Sequence, residues 1–275
     1  MTDLLALIAR AGRSTIPYVD PAFPDRPLLL HAARPEGWTP AMPIVFSHHG
    51  RSRNGADYRD YFLPLVDALG LLVIAPTFSD ESFPGQALYN AGNLQDADGR
   101  PNPAEACTYA IMPRLFAALQ QQGVTTAPRY GLFGHSAGAQ FVHRQVTFGY
   151  AQDVAIAVSA NAGTYTMPDR EIAFPYGLSG TDAALEPLLS FPLVIMAGTA
   201  DSNPDEQFVP RDPGSLRQGA HRYERAHRYM VEGRHAAERL GMACAWSIID
   251  VPGVAHDGKR MAEAAAPVLG QALHR

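Results

Sequence analysis

Hydrophobic residues in this chain gather in short runs that are apolar throughout, instead of alternating with polar positions. Six runs have the length of a β-strand and are mostly bounded by Gly, Pro, Asp or His: residues 42–47, 71–75, 130–133, 154–160, 193–197 and 245–251. Strands that are apolar on both faces are typical of a parallel sheet covered by helices on both sides. Residues 28–32 predict an additional strand at the edge of this sheet.

Longer stretches with apolar residues at helical spacing separate these runs. They predict helices over residues 57–69, 104–122, 137–148, 219–240 and 259–273, and a first helix in residues 1–10. In the helix over 219–240 we expect a solvated outer face, with Tyr223 and Met230 turned inward. Strands that alternate with helices of this length predict an α/β fold, here one domain over residues 1–275 with a mostly parallel sheet.

Two long segments do not fit this alternation. Residues 78–103 are rich in Gly, Asn, Asp and Pro, and residues 162–190 contain Pro, Gly and aromatic side chains. Loops of this length in a compact domain are usually functional, with irregular surface packing as the alternative. We expect the first segment beside the functional site and the second to form a cap or lid.

Composition and charge narrow the choice of partners. The 275 residues are 47% hydrophobic and 18% charged, with a formal net charge of −5. This balance excludes a disordered or fibrous chain. It also provides no excess of positive charge, so neither nucleic acid nor an acidic lipid surface is expected as a partner.

The start of the chain and its cysteines bear on the cellular compartment. Asp3 stands where a signal peptide would carry positive charge, and no apolar run approaches the roughly 18 residues of a membrane span. We therefore expect a cytoplasmic protein without a membrane partner. Cys107 and Cys244 are then expected to be free, inert thiols, with a disulfide between them as the alternative.

One pentapeptide matches a sequence motif and also lies between a predicted strand and a predicted helix, as that motif requires. Gly-His-Ser-Ala-Gly at residues 134–138 follows one predicted strand and begins the predicted helix over 137–148. A serine on such a tight turn presents its Oγ from a strained backbone, and small residues on either side avoid a collision. The helix also directs its N-terminal N–H groups at the site, where they favour a developing negative charge. The context indicates that Ser136 is a nucleophile, with an inert Gly/Ser turn as the alternative.

At these residues the chain resembles the α/β-hydrolase superfamily, in which nucleophile, acid and histidine follow one another as Ser, Asp or Glu, and His. The strand over 193–197 leads into Asp201, and the strand over 245–251 leads into His256. Both residues stand just beyond the carboxyl end of a strand, where such sheets bind ligands. The resemblance implies a triad of Ser136, Asp201 and His256.

Each member of that triad has a chemical role. Serine is a poor nucleophile by itself, so His256 would take the proton of Ser136 and later protonate the leaving group. Asp201 would orient the imidazole and stabilise its cation. Asp205 and Asp250 remain alternatives for the acid, and Asp205 is the stronger of the two because it shares the loop with Asp201.

The segment after the first buried strand resembles the oxyanion loop of this family. It reads Ser-His-His-Gly-Arg at residues 47–51. Carried over from the family, the two donors to the oxyanion are the backbone N–H groups of Ala137 and Arg51. We expect His48 and His49 to hold the loop by hydrogen bonding rather than to bind a metal.

Within the superfamily, the motifs are most similar to the group of poly(3-hydroxybutyrate) depolymerases and feruloyl esterases. The shared features are His49-Gly50, Asp57-Tyr58 on the next helix, and the serine pentapeptide. Secreted depolymerases of that group usually carry Cys where this chain has Arg51, and they carry a signal peptide. Both differences favour soluble esters, or oligomers released from a polymer, as substrates.

These features together predict a serine carboxylesterase that acts on a small-molecule ester through an acyl-enzyme. A peptidase or thioesterase with the same triad is an alternative, as is a catalytically weak binding protein of the same fold. No nucleotide motif and no metal-ligand spacing is present, so neither a cofactor nor a metal is expected. Tyr165, Phe174 and Tyr176, all in 162–190, are predicted to line an apolar substrate pocket. The oligomeric state, a homo-oligomer included, is left open.

Overall fold

The computed structural model describes residues 2–275, whose strands form one eight-stranded sheet with the order β1-β2-β4-β3-β5-β6-β7-β8. The strands are β1 Gly12–Tyr18, β2 Leu28–Arg34, β3 Ile44–His48, β4 Leu72–Thr77, β5 Tyr130–His135, β6 Val154–Ala160, β7 Leu193–Gly198 and β8 Ser247–Val251. β2 pairs antiparallel with both β1 and β4, and every other pair is parallel. The predicted α/β fold with a mostly parallel sheet is therefore confirmed.

Helices cover both faces of this sheet. They are α1 Gly55–Phe62, α2 Val66–Leu69, α3 Ile111–Gln121, α4 Ala137–Thr147, α5 Leu185–Ser190, α6 Pro213–Leu216, α7 Arg222–Arg239 and α8 Gly258–Leu273. Side chains of α1 and α8 pack on one face, and those of α3, α4 and α7 pack on the other. Across residues 2–275, none of the helices combines the length and the apolar character needed to cross a membrane.

The two apolar cores explain the unbroken hydrophobic runs. Along β3, Val45 packs into the core beneath α1 and α8, whereas its neighbours Ile44 and Phe46 enter the opposite core. Since successive side chains of a strand point to opposite faces, both sets must be apolar when both faces are covered. This packing positions the carboxyl ends of β3, β5, β7 and β8 along one edge.

The N-terminal part of the sheet differs from the prediction. Residues 28–32 do lie in a strand, but that strand is not at the edge, because β1 is paired outside it. The sequence of β1 gives a weak signal, since its side chains are mostly half-buried or exposed and it contains Gly12 and Pro17. The helix predicted in residues 1–10 is instead a 3₁₀ helix over Leu4–Ile8. Met1, which also belongs to that prediction, lies outside the described residues.

Two of the predicted helices are interrupted. The stretch 57–69 contains Pro64 and divides into α1 and α2, because proline disfavours a continuing helix through itself and the preceding residue. The stretch 104–122 begins with two 3₁₀ turns, Ala104–Ala106 and Thr108–Ala110, before α3 starts. The remaining predicted helices agree with the structure to within a few residues.

Helix α7 is less solvated than its charged sequence suggests. Met230 is turned inward as expected, and Tyr223 is half-buried. Arg222 and Arg225, however, are 2% and 0% exposed, so the expectation of an entirely solvated charged face is wrong. Arg225 donates hydrogen bonds to loop carbonyl oxygens, including that of Gly163 at 2.7 Å.

Another buried arginine ties the two long loops to α4. The guanidinium of Arg144 donates to the carbonyl oxygen of Asn90 at 2.8 Å and to the hydroxyl of Thr166 at 3.0 Å. Asn90 belongs to the segment 78–103 and Thr166 to the segment 162–190. Since buried carbonyls need donors, these bonds fix both irregular segments against the helix.

The two cysteines are unpaired, as predicted. Cys107 is buried and Cys244 is half-buried, and both are free thiols. Burial raises the pKa of Cys107. A thiol with a raised pKa holds little thiolate at neutral pH and is correspondingly unreactive.

Candidate active site

Ser136 occupies the sharp turn between β5 and α4. Its backbone has φ 59° and ψ −115°, a conformation that costs a non-glycine residue of the order of 1–3 kcal/mol. The turn is stabilised by a hydrogen bond from the Ser136 N–H to the carbonyl oxygen of Ala160, at 3.0 Å. The strain and its support by the neighbouring strand are typical of a residue held in place for function.

The two glycines of the pentapeptide are required by close backbone contacts. A Cβ atom on Gly134 would overlap the backbone of Gly138, and a Cβ atom on Gly138 would overlap the carbonyl of His48. The turn thus packs directly against the end of β3, with no room for a side chain at either position. This crowding is the one expected from the motif.

Three of the sequence-predicted site residues meet at the carboxyl edge of the sheet. The Nε2 atom of His256 lies 3.0 Å from the Oγ of Ser136. On the other side of the ring, Nδ1 lies 2.7 Å from Oδ2 of Asp201. The contacts join residues from the loops after β5, β7 and β8 into a continuous hydrogen-bonded chain.

The other two candidate carboxylates lie elsewhere. Asp205 is exposed and pairs with Arg211 at 3.1 Å. Asp250 accepts hydrogen bonds from the side chains of Tyr223 and His227, on α7. Of the three aspartates considered from the sequence, the structure brings only Asp201 into contact with the imidazole of His256.

Asp201 is also bound by a residue that the sequence did not point to. Arg222, in the first turn of α7, donates to Oδ1 of Asp201 at 3.0 Å. Burial alone would raise the pKa of Asp201, but the hydrogen bond and charge of His256, and then the charge of Arg222, outweigh it, so the pKa lies below its usual value. The carboxylate is therefore ionised at neutral pH.

Asn161, directly after β6, connects the loops that carry the acid and the histidine. Its backbone has φ 48°. The side-chain oxygen accepts a hydrogen bond from the N–H of Gly198 at 2.8 Å, and the side-chain nitrogen donates to the carbonyl of Ala255 at 3.0 Å. These contacts join the end of β7 to the loop after β8.

A buried histidine and tyrosine pack behind the imidazole. The rings of His135 and His256 have centroids 4.5 Å apart, and a hydrogen bond of 2.8 Å joins Nδ1 of His135 to the hydroxyl of Tyr58. Burial lowers the pKa of His135 well below its usual value, and the charges of His256 and Arg222 act in the same direction. The His135 ring is therefore uncharged and packs against the ring of His256.

The loop after β3 is held mainly by one of its two histidines. Nε2 of His49 accepts a hydrogen bond from the N–H of Phe78 at 3.0 Å, and the carbonyl of His49 accepts one from the hydroxyl of Tyr89 at 2.6 Å. Burial lowers the pKa of His49 to about 3, so its ring is neutral. His48 behaves differently from the prediction, since its ring stacks on Phe141, with centroids 4.3 Å apart, and neither ring nitrogen finds a hydrogen-bond partner within residues 2–275.

The positions predicted to supply oxyanion donors lie next to the serine. Ala137 is the first residue of α4, so its N–H has no carbonyl partner inside the helix. A Cβ placed on Gly50 would be 3.6 Å from the Cβ of Ser136, which puts the loop preceding Arg51 against the serine. Both Ala137 and Arg51 line the same cavity as Ser136 and His256.

This cavity has a volume of about 470 Å³ and opens above Ser136. The segment 78–103 forms part of its wall through Asp80, Gln86, Tyr89 and Asn90. Across the cavity, the guanidinium of Arg51 lies over the ring of Phe208, 4.1 Å from its centroid. Much of the wall is polar.

The predicted aromatic pocket has to be corrected. Tyr165 is fully buried and stacks on Tyr229, with centroids 4.5 Å apart. Phe174 packs edge-on against Phe148, and the hydroxyl of Tyr176 donates to Asp212 at 2.6 Å.

These contacts exist because the segment 162–190 folds back onto α4 and α7. Of this segment, only Gly163 lines the cavity, so Tyr165, Phe174 and Tyr176 do not form its wall. Phe208 and Pro210 lie there instead, on the loop that follows Asp201. Reasoning from the sequence missed this loop, and the only available signal was an isolated aromatic residue among polar ones.

Comparison with solved structures gives two close relatives. LpqC, a poly(3-hydroxybutyrate) depolymerase from Bordetella parapertussis, is 40% identical, with a TM-score of 0.93 over 98% of this chain and 93% of that chain. Poly(aspartic acid) hydrolase-1 from Sphingomonas sp. KT-1 is 33% identical, with a TM-score of 0.90 over 94% of this chain and 99% of that chain.

More distant matches share the fold alone. An S-formylglutathione hydrolase from Agrobacterium tumefaciens is 16% identical, with a TM-score of 0.57 over 95% of each chain. No family model and no curated protein sequence matches this chain. The sheet order, the serine turn and the two close relatives confirm the resemblance drawn from the motifs. The chain therefore belongs to the α/β-hydrolase superfamily and, within it, to the group of hydrolases that includes the poly(3-hydroxybutyrate) depolymerase LpqC.

Proposed function

We propose that this hydrolase cleaves carboxylic esters through an acyl-enzyme, with Ser136 as nucleophile, His256 as general base and Asp201 as the orienting acid. The observation that carries the proposal is the hydrogen-bonded chain, 3.0 Å from Ser136 to His256 and 2.7 Å from His256 to Asp201. The first distance lies in the range in which a proton can pass from nucleophile to base, and the second is a hydrogen bond that can orient the imidazole. The close relatives described above are hydrolases, which supports the same reaction class.

In the first half of the reaction, the Oγ of Ser136 attacks the ester carbonyl while Nε2 of His256 takes its proton. The imidazolium that forms is stabilised by the buried, ionised Asp201. Collapse of the tetrahedral intermediate expels the alcohol, which receives the proton from His256. Water then repeats the sequence against the acyl-enzyme, releases the acid and restores the Ser136 hydroxyl.

The negative charge on the tetrahedral intermediate needs donors that are already in place. We propose that the backbone N–H groups of Ala137 and Arg51 supply them, since both positions adjoin the serine and the first is an unpaired helix N-terminus. Removing one donor of this kind typically costs a factor of about 10²–10³ in turnover. Backbone donors survive side-chain replacement, so the Arg51 side chain is free for another task.

The cavity favours polar, compact substrates. Asn90 and Gln140 form a hydrogen-bonded amide pair on its wall, 2.8 Å between Nδ2 and Oε1. The other two polar atoms of the pair, Oδ1 of Asn90 and Nε2 of Gln140, have no hydrogen-bond partner within residues 2–275, and an apolar acyl chain would cover them at a cost of roughly 1–3 kcal/mol for each. We therefore propose small soluble esters with polar acyl groups, oligomers of hydroxy acids included, in preference to long-chain esters.

The proposed reaction predicts a burst of product. With a short activated ester such as p-nitrophenyl acetate, the first turnover should release about one p-nitrophenol per active site before the slower steady state. Intact-mass analysis of the quenched reaction should show the acetylated protein. Linear release without burst or adduct, under conditions where deacylation is made limiting, would argue against an acyl-enzyme.

Amide hydrolysis is the second candidate, for two specific reasons. One close relative is named as a hydrolase of poly(aspartic acid), which is an anionic polyamide. In addition, no carboxylate within residues 2–275 forms an ion pair with Arg51, so the guanidinium that lies over Phe208 on the cavity wall is available to an anionic substrate such as this polymer. Matched ester, amide and thioester substrates with the same acyl group would rank the three activities by kcat/KM.

Replacing Arg51 by Gln should reduce the preference for substrates that carry a carboxylate. A charge-assisted hydrogen bond in a partly covered cavity contributes about 1.5 kcal/mol, so the ratio of kcat/KM for an anionic ester over its neutral analogue should fall about tenfold. Steady-state kinetics on a succinyl ester and the matched butyryl ester measure this ratio. Arg211→Gln, an equal charge change on an exposed arginine paired with Asp205, is the control, and equal ratios for both variants would refute the role of Arg51.

A further inference from the structure

Arg222 is placed between two carboxylates behind the proposed triad. One guanidinium nitrogen donates to Oδ1 of Asp201 at 3.0 Å, and another donates to Oε2 of Glu206 at 2.7 Å. The Arg222 side chain is 1% exposed, the Asp201 side chain 4% and the Glu206 side chain 32%. The arrangement is a row of alternating charges that ends at the imidazole of His256.

The charge balance of this row contributes to the electrostatic potential at His256. A buried ion pair of Asp201 and Arg222 alone would present little net charge to the imidazole. Glu206 adds a second negative charge, so the three groups together carry one net negative charge. Because burial weakens screening by solvent, this charge acts on neighbouring groups more strongly than a surface charge would.

Glu206 also lies on the loop that forms part of the cavity wall. This loop carries Phe208 and Pro210 into the cavity. Two arginines of α7 bind this loop: Arg222 donates to Glu206, and Arg225 donates to the carbonyl of Pro210 at 2.8 Å. Glu206, which neutralises the charge of Arg222, thus belongs to the same short loop as Phe208 and Pro210, which line the cavity.

We propose that Glu206 is a positioning residue for the reaction: by neutralising Arg222 it leaves Asp201 with the negative potential that His256 needs when it becomes an imidazolium. The proposal rests on the proposed function, since it assigns Ser136, His256 and Asp201 their roles. Arg222 in turn fixes the orientation of the Asp201 carboxylate, whose other oxygen remains available to His256. Glu206 acts through Arg222 and does not touch the reacting atoms.

Several other groups face His256, and the test has to leave them unchanged. They are the hydroxyl of Ser136, the carboxylate of Asp201, the ring of His135 with its partner Tyr58, and the adjacent Asp257, whose carboxylate caps α8. None of them is replaced in the variants below.

Replacing Glu206 and replacing Arg222 should shift the pH dependence in opposite directions. In Glu206→Gln, the amide oxygen can still accept a hydrogen bond, but the negative charge is lost and the imidazolium becomes less favourable. The acid limb of the kcat/KM profile should then move to lower pH by about half a unit, with a lower plateau because the base is weaker. In Arg222→Gln the positive charge is lost, and the limb should move to higher pH.

The experiment measures kcat/KM for a neutral ester from pH 4.5 to pH 9 for the wild type and the variants. Asp205→Asn is the matched control, because it removes one negative charge from the adjacent residue, which pairs with Arg211 instead; its acid limb should coincide with that of the wild type. Glu206→Asp keeps the negative charge, so the acid limb of its kcat/KM profile should lie close to that of the wild type. Thermal unfolding of each variant identifies any loss of folding, and the half-exposed Glu206 keeps the test usable if Arg222→Gln does not fold.

The outcomes separate this inference from the proposed function. If hydrolysis depends on Ser136 and the limb of Glu206→Gln stays within 0.1 unit of the Asp205→Asn control, the role of Glu206 is refuted while the triad stands. A shift of Glu206→Gln to higher pH would also refute it. If hydrolysis does not depend on Ser136, the proposed function itself fails.

Discussion

Ser136→Ala should lower kcat for a p-nitrophenyl ester by roughly 10⁵–10⁶-fold and abolish the burst. The reason is geometric, since the strained turn presents the Ser136 Oγ 3.0 Å from Nε2 of His256, and alanine leaves the base without a nucleophile to activate. Residual hydrolysis through the oxyanion donors and substrate binding would remain above the rate in buffer. Stopped-flow absorbance and steady-state assays measure the burst and the turnover.

His256→Ala should lose about as much activity as Ser136→Ala, and the double variant should lose little more. Members of such a unit are strongly non-additive because either loss removes the covalent route. Ser190→Ala, at an exposed serine at the end of α5, controls for the substitution itself. Equal rates for the wild type and Ser136→Ala would exclude the proposed mechanism.

The second large effect is expected from Asp201→Asn, which should lower kcat by about 10⁴-fold at neutral pH. The amide can present its nitrogen to Nδ1 of His256, which favours the wrong tautomer of the ring. It also removes the carboxylate charge that lies 2.7 Å from Nδ1 of His256, so the imidazolium loses its adjacent counterion. Both changes weaken the base without removing the nucleophile.

The matched variant is again Asp205→Asn, in the same loop but paired with Arg211. It should retain activity close to that of the wild type. Near-normal activity in Asp201→Asn, together with a large loss in Asp205→Asn, would transfer the acid role to Asp205 and would require a different arrangement of this loop.

The parts of the molecule that could be predicted from the sequence are those with local signals. Strands covered on both faces leave unbroken apolar runs, and the serine turn combines small residues with a strand before it and a helix after it. Asp201 and His256 were implied by the resemblance to the superfamily, whose acid and histidine follow strands such as β7 and β8. Contact between these residues needs only the parallel order of the strands, because that order brings the carboxyl ends to one edge.

The rest depended on contacts between distant segments. β1 is half-exposed and contains Gly and Pro, so its pairing with β2 leaves little trace in its own composition. The aromatic residues Tyr165 and Phe174 have the composition of a pocket wall, but only the path of their loop decides that they face α4 and α7. Likewise, a charged helix gives no local sign that Arg222 is turned inward toward Asp201.

The irregular loops are held to the helices by hydrogen bonds that should not depend on pH. Arg144 and Arg225 hold those loops by donating to uncharged carbonyl and hydroxyl oxygens, and neither partner of such a bond gains or loses a proton between pH 4 and pH 9. The contacts that these two arginines make with the loops should therefore be constant across this interval. Acidity would then act on the row of charges behind the imidazole, including the contact of Arg222 with Glu206 on the cavity loop, and not on the contacts of Arg144 and Arg225.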